Sequence, residues 1–127
     1  MANKILIFVE SRYRINRKRI KSVVDDIVSK NEITSPVEVS IAVVGDRKMR
    51  ELSKKYKGED KTHNVLSFSQ VEGDGKATDD LLRLGDVIIS FPEVIREASA
   101  EEKFVDDKVD ELVEHGLLHL LGVHHEE

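Results

Sequence analysis

Apolar positions along the chain change rhythm several times, and each change marks an element. Residues 4–10 form a mostly apolar, β-branched run that predicts a well-buried strand. Asn16 offers an N-cap for a helix over residues 17–30, where Ile20, Val23, Val24, Ile27 and Val28 recur at three- and four-residue spacing as a core stripe. Pro36 marks a loop. Residues 37–44 alternate and then turn fully apolar, which predicts a second strand. Gly45-Asp46 breaks it, and Asp46 is expected to cap a helix to about residue 55, with Met49, Leu52 and Tyr56 facing inward.

The second half reads the same way. Residues 57–63 are polar, with Gly58 in the turn, and residues 65–68 are a third strand. Residues 70–80, with Gly73-Asp74-Gly75, have the composition of a flexible loop. Residues 84–90 predict a fourth strand, and Pro92 opens a short helix to about residue 98 or beyond. The last helix is expected over residues 104–121. On it Val105, Val109, Leu112, Gly116 and Leu120 share one face, and His115 and His119 lie along the edge of that face. Leu117, Leu118 and Leu121 fill the opposite side, so the end of this helix is expected to be buried all round. The sum is a single α+β domain over residues 1–127, with about four strands in a mixed sheet and four to five helices.

Composition removes several alternatives. With 39% hydrophobic and 35% charged residues the chain is an ordinary globular protein, not a disordered one. There is no cysteine, so a metal here would use histidine or carboxylate. No apolar run approaches the roughly 20 residues of a membrane span, and the opening strand lacks a signal-peptide cleavage site, so a cytoplasmic location is expected. Charge is unevenly placed. Residues 1–61 carry 15 Lys/Arg against 9 Asp/Glu, whereas residues 62–127 carry 5 against 16. The basic half holds two clusters: Arg12, Arg14, Arg17, Lys18, Arg19 and Lys21, then Arg47, Lys48, Arg50, Lys54, Lys55 and Lys57. Such a basic face on an acidic protein suits a polyanion, although two solvated helix faces would give the same composition.

The chemistry concentrates in the last thirteen residues, which hold four of the five histidines. His115 and His119 are one helical turn apart on one face. Gly122 is placed where a helix would end in a left-handed turn, and a chain reversed there would bring back a third imidazole. His124 and His125 could both reach, and the His-x-x-Gly-x-x-His spacing from His119 favours His125. Three imidazoles with an open fourth position make a catalytic zinc site. A lone helical histidine is ordinarily a packed residue, but that reading does not explain the pair, the glycine and the third histidine together. The spacing matches the metzincin zinc proteases, except that Gly116 stands where those enzymes need a glutamate base. Another metal-dependent hydrolase fits better.

His115-Gly116-Leu117-Leu118-His119-Leu120-Leu121-Gly122-Val123-His124-His125 resembles the His-Gly-x-Leu-His-Leu-x-Gly-Tyr-Asp-His signature of the YbeY family of bacterial metal-dependent endoribonucleases. Tyr56-Lys57-Gly58-Glu59-Asp60 followed by Asn64-Val65-Leu66-Ser67-Phe68 is similar to that family's Tyr-Arg-Gly-x-Asp block and the strand after it. Leu84-Gly85-Asp86-Val87-Ile88-Ile89 resembles the strand before its last helices. The resemblance implies one zinc per chain on His115, His119 and His125, and cleavage of single-stranded RNA. It also implies roles in 16S ribosomal RNA 3′-end maturation and ribosome quality control, with ribosomal subunit proteins as partners. The family's cleft arginine, implicated in activity, falls on Lys57, which keeps the charge but not the planar fork. His124 replaces the family's aspartate. A non-catalytic ribosome-assembly factor with a structural zinc, and a metal-dependent hydrolase of another substrate, are the alternatives. No aromatic stacking platform is evident, so base-specific reading is not expected.

Overall fold

The structure is a computed structural model that describes residues 3–10, 12–70 and 81–125, with side chains through Gly122. Strands β1 (Lys4–Val9), β2 (Val37–Val44), β3 (Val65–Ser69) and β4 (Leu82–Ser90) form one mixed sheet in the order β1-β2-β4-β3. β1 and β4 run parallel to β2, and β3 runs antiparallel to β4 at the edge. The helices are α1 (Arg17–Lys30), α2 (Asp46–Lys57), α3 (Phe91–Glu101) and α4 (Val105–His125). The expected α+β architecture is what folds. Glycine and proline punctuation separates strand from helix along the chain, and the two periodicities do the rest.

The faces of the sheet are unequal. Val39 and Ile41 of β2 and Leu84, Val87 and Ile89 of β4 join α1 and α4 in the main core, together with Val94 of α3. On the other face, Leu66 and Ile88 meet Met49 of α2, with Ala42, Leu52 and Phe68 partly buried beside them. Burying this much aliphatic surface, at about 25 cal/mol per Å² of apolar area, is the main stabilising term.

One irregularity matters later. The register between β2 and β4 slips at Glu38/Val39, so Leu84 is an extra residue on β4. Leu84 and Val87 consequently point into the same core although they are three apart. Gly85 carries the turn with φ 135°, and a Cβ there would lie 2.1 Å from the Phe68 carbonyl oxygen. Only glycine fits. Beyond the bulge the alternation is reset, which turns Asp86 and Ile88 toward the α2 face.

Local expectations hold in α1. The Asn16 side chain accepts from the Arg19 amide at 3.0 Å, and Ile20, Val24, Ile27 and Val28 are buried with Val23 against them. Several others need correction. Gly45, not Asp46, occupies the N-cap of α2, with no side-chain cap bond. The Asp46 carboxylate instead accepts from Thr62 Oγ1, Ser90 Oγ and Arg96, tying the start of α2 to the following loop and to α3. Tyr56 does not face inward; it is 56% exposed. The short helix expected from Pro92 does form: α3 starts at Phe91 behind the N-cap Ser90, has Pro92 in its first turn and reaches Glu101. The loop expected at residues 70–80 falls, from residue 71 on, outside the described residues.

Candidate functional site

α4 carries the two described histidines of the C-terminal motif, and its burial is one-sided. Val109, Leu112, Val113, Leu117, Leu120 and Leu121 form a continuous buried stripe against the sheet and α1. Gly116 sits within that stripe, where a Cβ would come 2.6 Å from Val87 Cγ1 and 3.4 Å from Val65 Cγ2. This explains the residue that departs from the metzincin pattern: position 116 faces the sheet, so a glutamate there could reach neither water nor substrate. His115 and His119, one turn apart, are both exposed, and Leu118 is 42% exposed beside them. The expectation that this end of the helix is buried all round is therefore wrong. Of the three leucines expected on the far side, Leu117 and Leu121 are buried and only Leu118 is exposed.

The end of α4 also differs. The helix runs on through Gly122 to His125, and Gly122 does not adopt a left-handed conformation. On an unbroken helix, positions 119 and 125 are set about 9 Å apart along the axis and about 120° apart around it. The reversal expected at Gly122 is thus not present, and the side chains of His124 and His125 lie outside the described residues. Among the described residues no three His, Asp or Glu side chains form a metal-sized cluster. Among the described residues a Cβ at Gly122 would meet no atom within 4 Å.

Lys57 closes α2, exposed, and Gly58 follows as a left-handed C-cap with φ 69°. Lys57 ends the helix that packs on the opposite face of the sheet from α4, which carries His115 and His119. The loop after it is pinned by Thr62 to Asp46, by Asn64 to Glu97, and by His63 Nε2 at 3.0 Å from Glu59 Oε1.

The two basic clusters have different fates. In the first, Arg17 donates to the Ile7 carbonyl and Arg19 pairs with Asp110 at 2.6 Å and with Asp107, so these cations serve the fold. In the second, Arg47, Lys48, Arg50, Lys54, Lys55 and Lys57 are all exposed, and none is within ion-pair distance of a described carboxylate. That stretch of α2 is an uncommitted positive surface, and Arg12, Arg14, Lys18 and Lys21 of the first cluster are likewise exposed with no ion-pair partner among the described residues. Sequence reasoning passed over Asp86, a single acid between Gly85 and an apolar run. Burial holds its pKa above the ordinary aspartate value, while hydrogen bonds from Ser40 and Gln70 act in the opposite sense.

The chain matches the family model described as Endoribonuclease YbeY over residues 7–127. It is 38% identical over 125 residues to the Endoribonuclease YbeY of Sulfurihydrogenibium sp., covering 98% of this chain and 80% of that one. It is 43% identical over 89 residues to that of Anaeromyxobacter sp., covering 70% of this chain but only 44% of the relative's length. A solution structure of a Thermotoga maritima protein superposes with a TM-score of 0.61 at 25% identity, covering 91% of this chain and 71% of that one. Family model and relatives agree, and the chain belongs to the endoribonuclease YbeY family.

Proposed function

We propose that this chain is a zinc-dependent endoribonuclease that cuts single-stranded RNA, with the metal on His115, His119 and His125. The observation that carries the reading is the exposed pair His115 and His119, one turn apart on a helix that is otherwise packed against the sheet. A histidine pair kept at the surface of a rigid, deeply packed helix suits ligation, because the backbone bearing the donors does not move when an ion binds. The described donors fit two of three zinc positions. His125 joins them only if the last turn of α4 opens near Gly122, where a Cβ would meet no described atom within 4 Å. When bound there, zinc would supply a water of lowered pKa and positive charge beside the scissile phosphate.

The chain's own residues would do the rest. The α2 cations, Lys57 included, would hold the RNA backbone by contacts indifferent to sequence. Lys57 would act as a single point charge, whereas an arginine would supply a two-pronged clamp. The relatives' shared name supports the ribonuclease class. We extend it to 16S ribosomal RNA 3′-end maturation and ribosome quality control in the cytoplasm, with ribosomal subunit proteins as partners. A non-catalytic assembly factor, or a hydrolase of another substrate, would share the histidines but would not cleave RNA.

Cleavage of a single-stranded RNA before and after chelation is the test. Chelation should abolish it, zinc should restore it, and His119→Ala should lower the rate by 100-fold or more, on the order of the loss expected when a metal ligand is removed. Cleavage that survives both would end the metal-dependent reading.

A further inference from the structure

On the α2 side of the sheet, beside the edge strand, there is an open pocket of about 540 Å³. Its size is within the range of small-ligand sites. Leu52, Phe68 and Ile88 make its apolar floor, Tyr56 stands at its wall, and Gln70 and Asp86 supply polar groups. The Tyr56 ring lies 5.0 Å from that of Phe68, tilted by 48°, so it is propped from behind while more than half of its surface remains open. Lys55 Nζ is 5.1 Å from the Tyr56 ring centroid, and Lys48, Lys54 and Lys57 lie on the same helix without ion-pair partners among the described residues. The polar side of the pocket is equally built. The bulge at Gly85 is what turns Asp86 inward, and the Gln70 amide is held by the Leu84 carbonyl at 3.2 Å.

We propose that this pocket binds one unpaired base of the RNA, with Tyr56 as the stacking surface and Asp86 as the reader of the base edge, and that guanine is preferred. The inference rests on the ribonuclease reading for its polymer, but it concerns a site separate from the histidines. Stacking needs an exposed, rigidly backed aromatic face, which the Tyr56–Phe68 pair provides. Phosphates flanking a base seated there would meet the α2 cations, which gives the charge complementarity an apolar ligand would not use. A carboxylate offers about four acceptor positions, and Ser40 and Gln70 account for two of them. Guanine alone presents two N–H donors side by side to a carboxylate, so it gains both remaining hydrogen bonds. Because the pocket and the histidines are on opposite faces, RNA would cross the β3 edge between them. The base recognised is then not the one at the bond being cut.

The test measures binding without cleavage. Labelled single-stranded oligouridines carrying one central guanine or one central adenine would be titrated with the protein in the presence of chelator, following fluorescence anisotropy. The guanine oligomer should bind the wild type several-fold more tightly than the adenine one. Tyr56→Ala should weaken the guanine complex by about 5- to 100-fold, the range of a lost base–aromatic stack, and Tyr56→Phe should bind like the wild type. Asp86→Asn should equalise guanine and adenine. Equal affinity for the two oligomers in the wild type would overturn the inference without any variant, and so would unchanged binding by a folded Tyr56→Ala. Cleavage assayed in parallel keeps the two proposals apart. RNA that is cut with no dependence on Tyr56 or guanine would defeat the pocket alone, whereas guanine-selective binding without cleavage would defeat the ribonuclease reading alone.

Discussion

Two glycines show how closely single residues set this architecture. Gly116 lets α4 lie against Val65 and Val87, and a valine branched at Cβ has little rotamer freedom with which to give way. Gly116→Ala gains about 1 kcal/mol in helix propensity but overpacks the interface, which costs about 1–3 kcal/mol. The expected result is a protein less stable by about 1 kcal/mol in thermal or denaturant unfolding; a more stable variant would show that the helix does not sit this close. Gly85 acts differently, because its conformation and the Phe68 carbonyl both forbid a side chain. Neither requirement was legible in the sequence. Gly116 could be recognised only as a departure from the protease pattern, and Gly85 only as a break in an apolar run. A close approach depends on what lies opposite, and that is a property of the fold.

At the scale of elements, strand and helix order was legible because each segment carries a single clear period. The Asn16 cap, the core stripe of α1 and β2 from Val37 to Val44 all follow from that. What failed were statements about partners. Tyr56 and Leu118 were expected to be covered, yet they are 56% and 42% exposed. Conversely, nothing in the sequence marked Lys108 as buried. It is 3% exposed on α4, with Glu97, Glu101 and Glu111 all within 3.2 Å of its amine. Burial alone would push its pKa down, but the hydrogen bonds with Glu111, Glu101 and Glu97 outweigh this and raise it. Lys108→Ala leaves three carboxylates facing one another and should destabilise by about 2 kcal/mol, less than the 3–5 of a fully buried pair because the acids are partly solvated. The pH dependence has a definite sign. Hydrogen bonds from Lys108 and Lys103 hold Glu101 and Glu111 below the ordinary glutamate value. Their contribution is therefore complete above that value and is lost as pH falls through the folded-state pKa. Urea unfolding should show the wild-type advantage shrinking on acidification, and an advantage that grew would contradict the network.

For the whole molecule, the division of charge is the feature that connects fold to function. Arg17 and Arg19 are spent on Ile7 and on α4, whereas every cation of the α2 cluster is left to solvent. Composition could report the two clusters but not which cations were committed, since Asp107 and Asp110 are about ninety residues from Arg19. RNA affinity should accordingly fall with salt. Exchanging Lys54 and Lys55 for glutamine should lessen the log–log slope by about 1.4, roughly 0.7 per cation for a single strand. The same exchange at Arg17 and Arg19 should lower stability and leave the slope alone. Equal slopes from both pairs would remove α2 from the RNA path.

The histidine motif remains the centre of the account, and the continuous helix through Gly122 makes it the point most open to contradiction. Elemental analysis of protein purified without a histidine tag, dialysed and then offered zinc, tests it most directly. We predict about one zinc per chain, lost in His115→Ala, His119→Ala and His125→Ala but retained in His124→Ala. No stoichiometric zinc in the wild type, or retention in His119→Ala, would mean that these imidazoles do not converge on an ion.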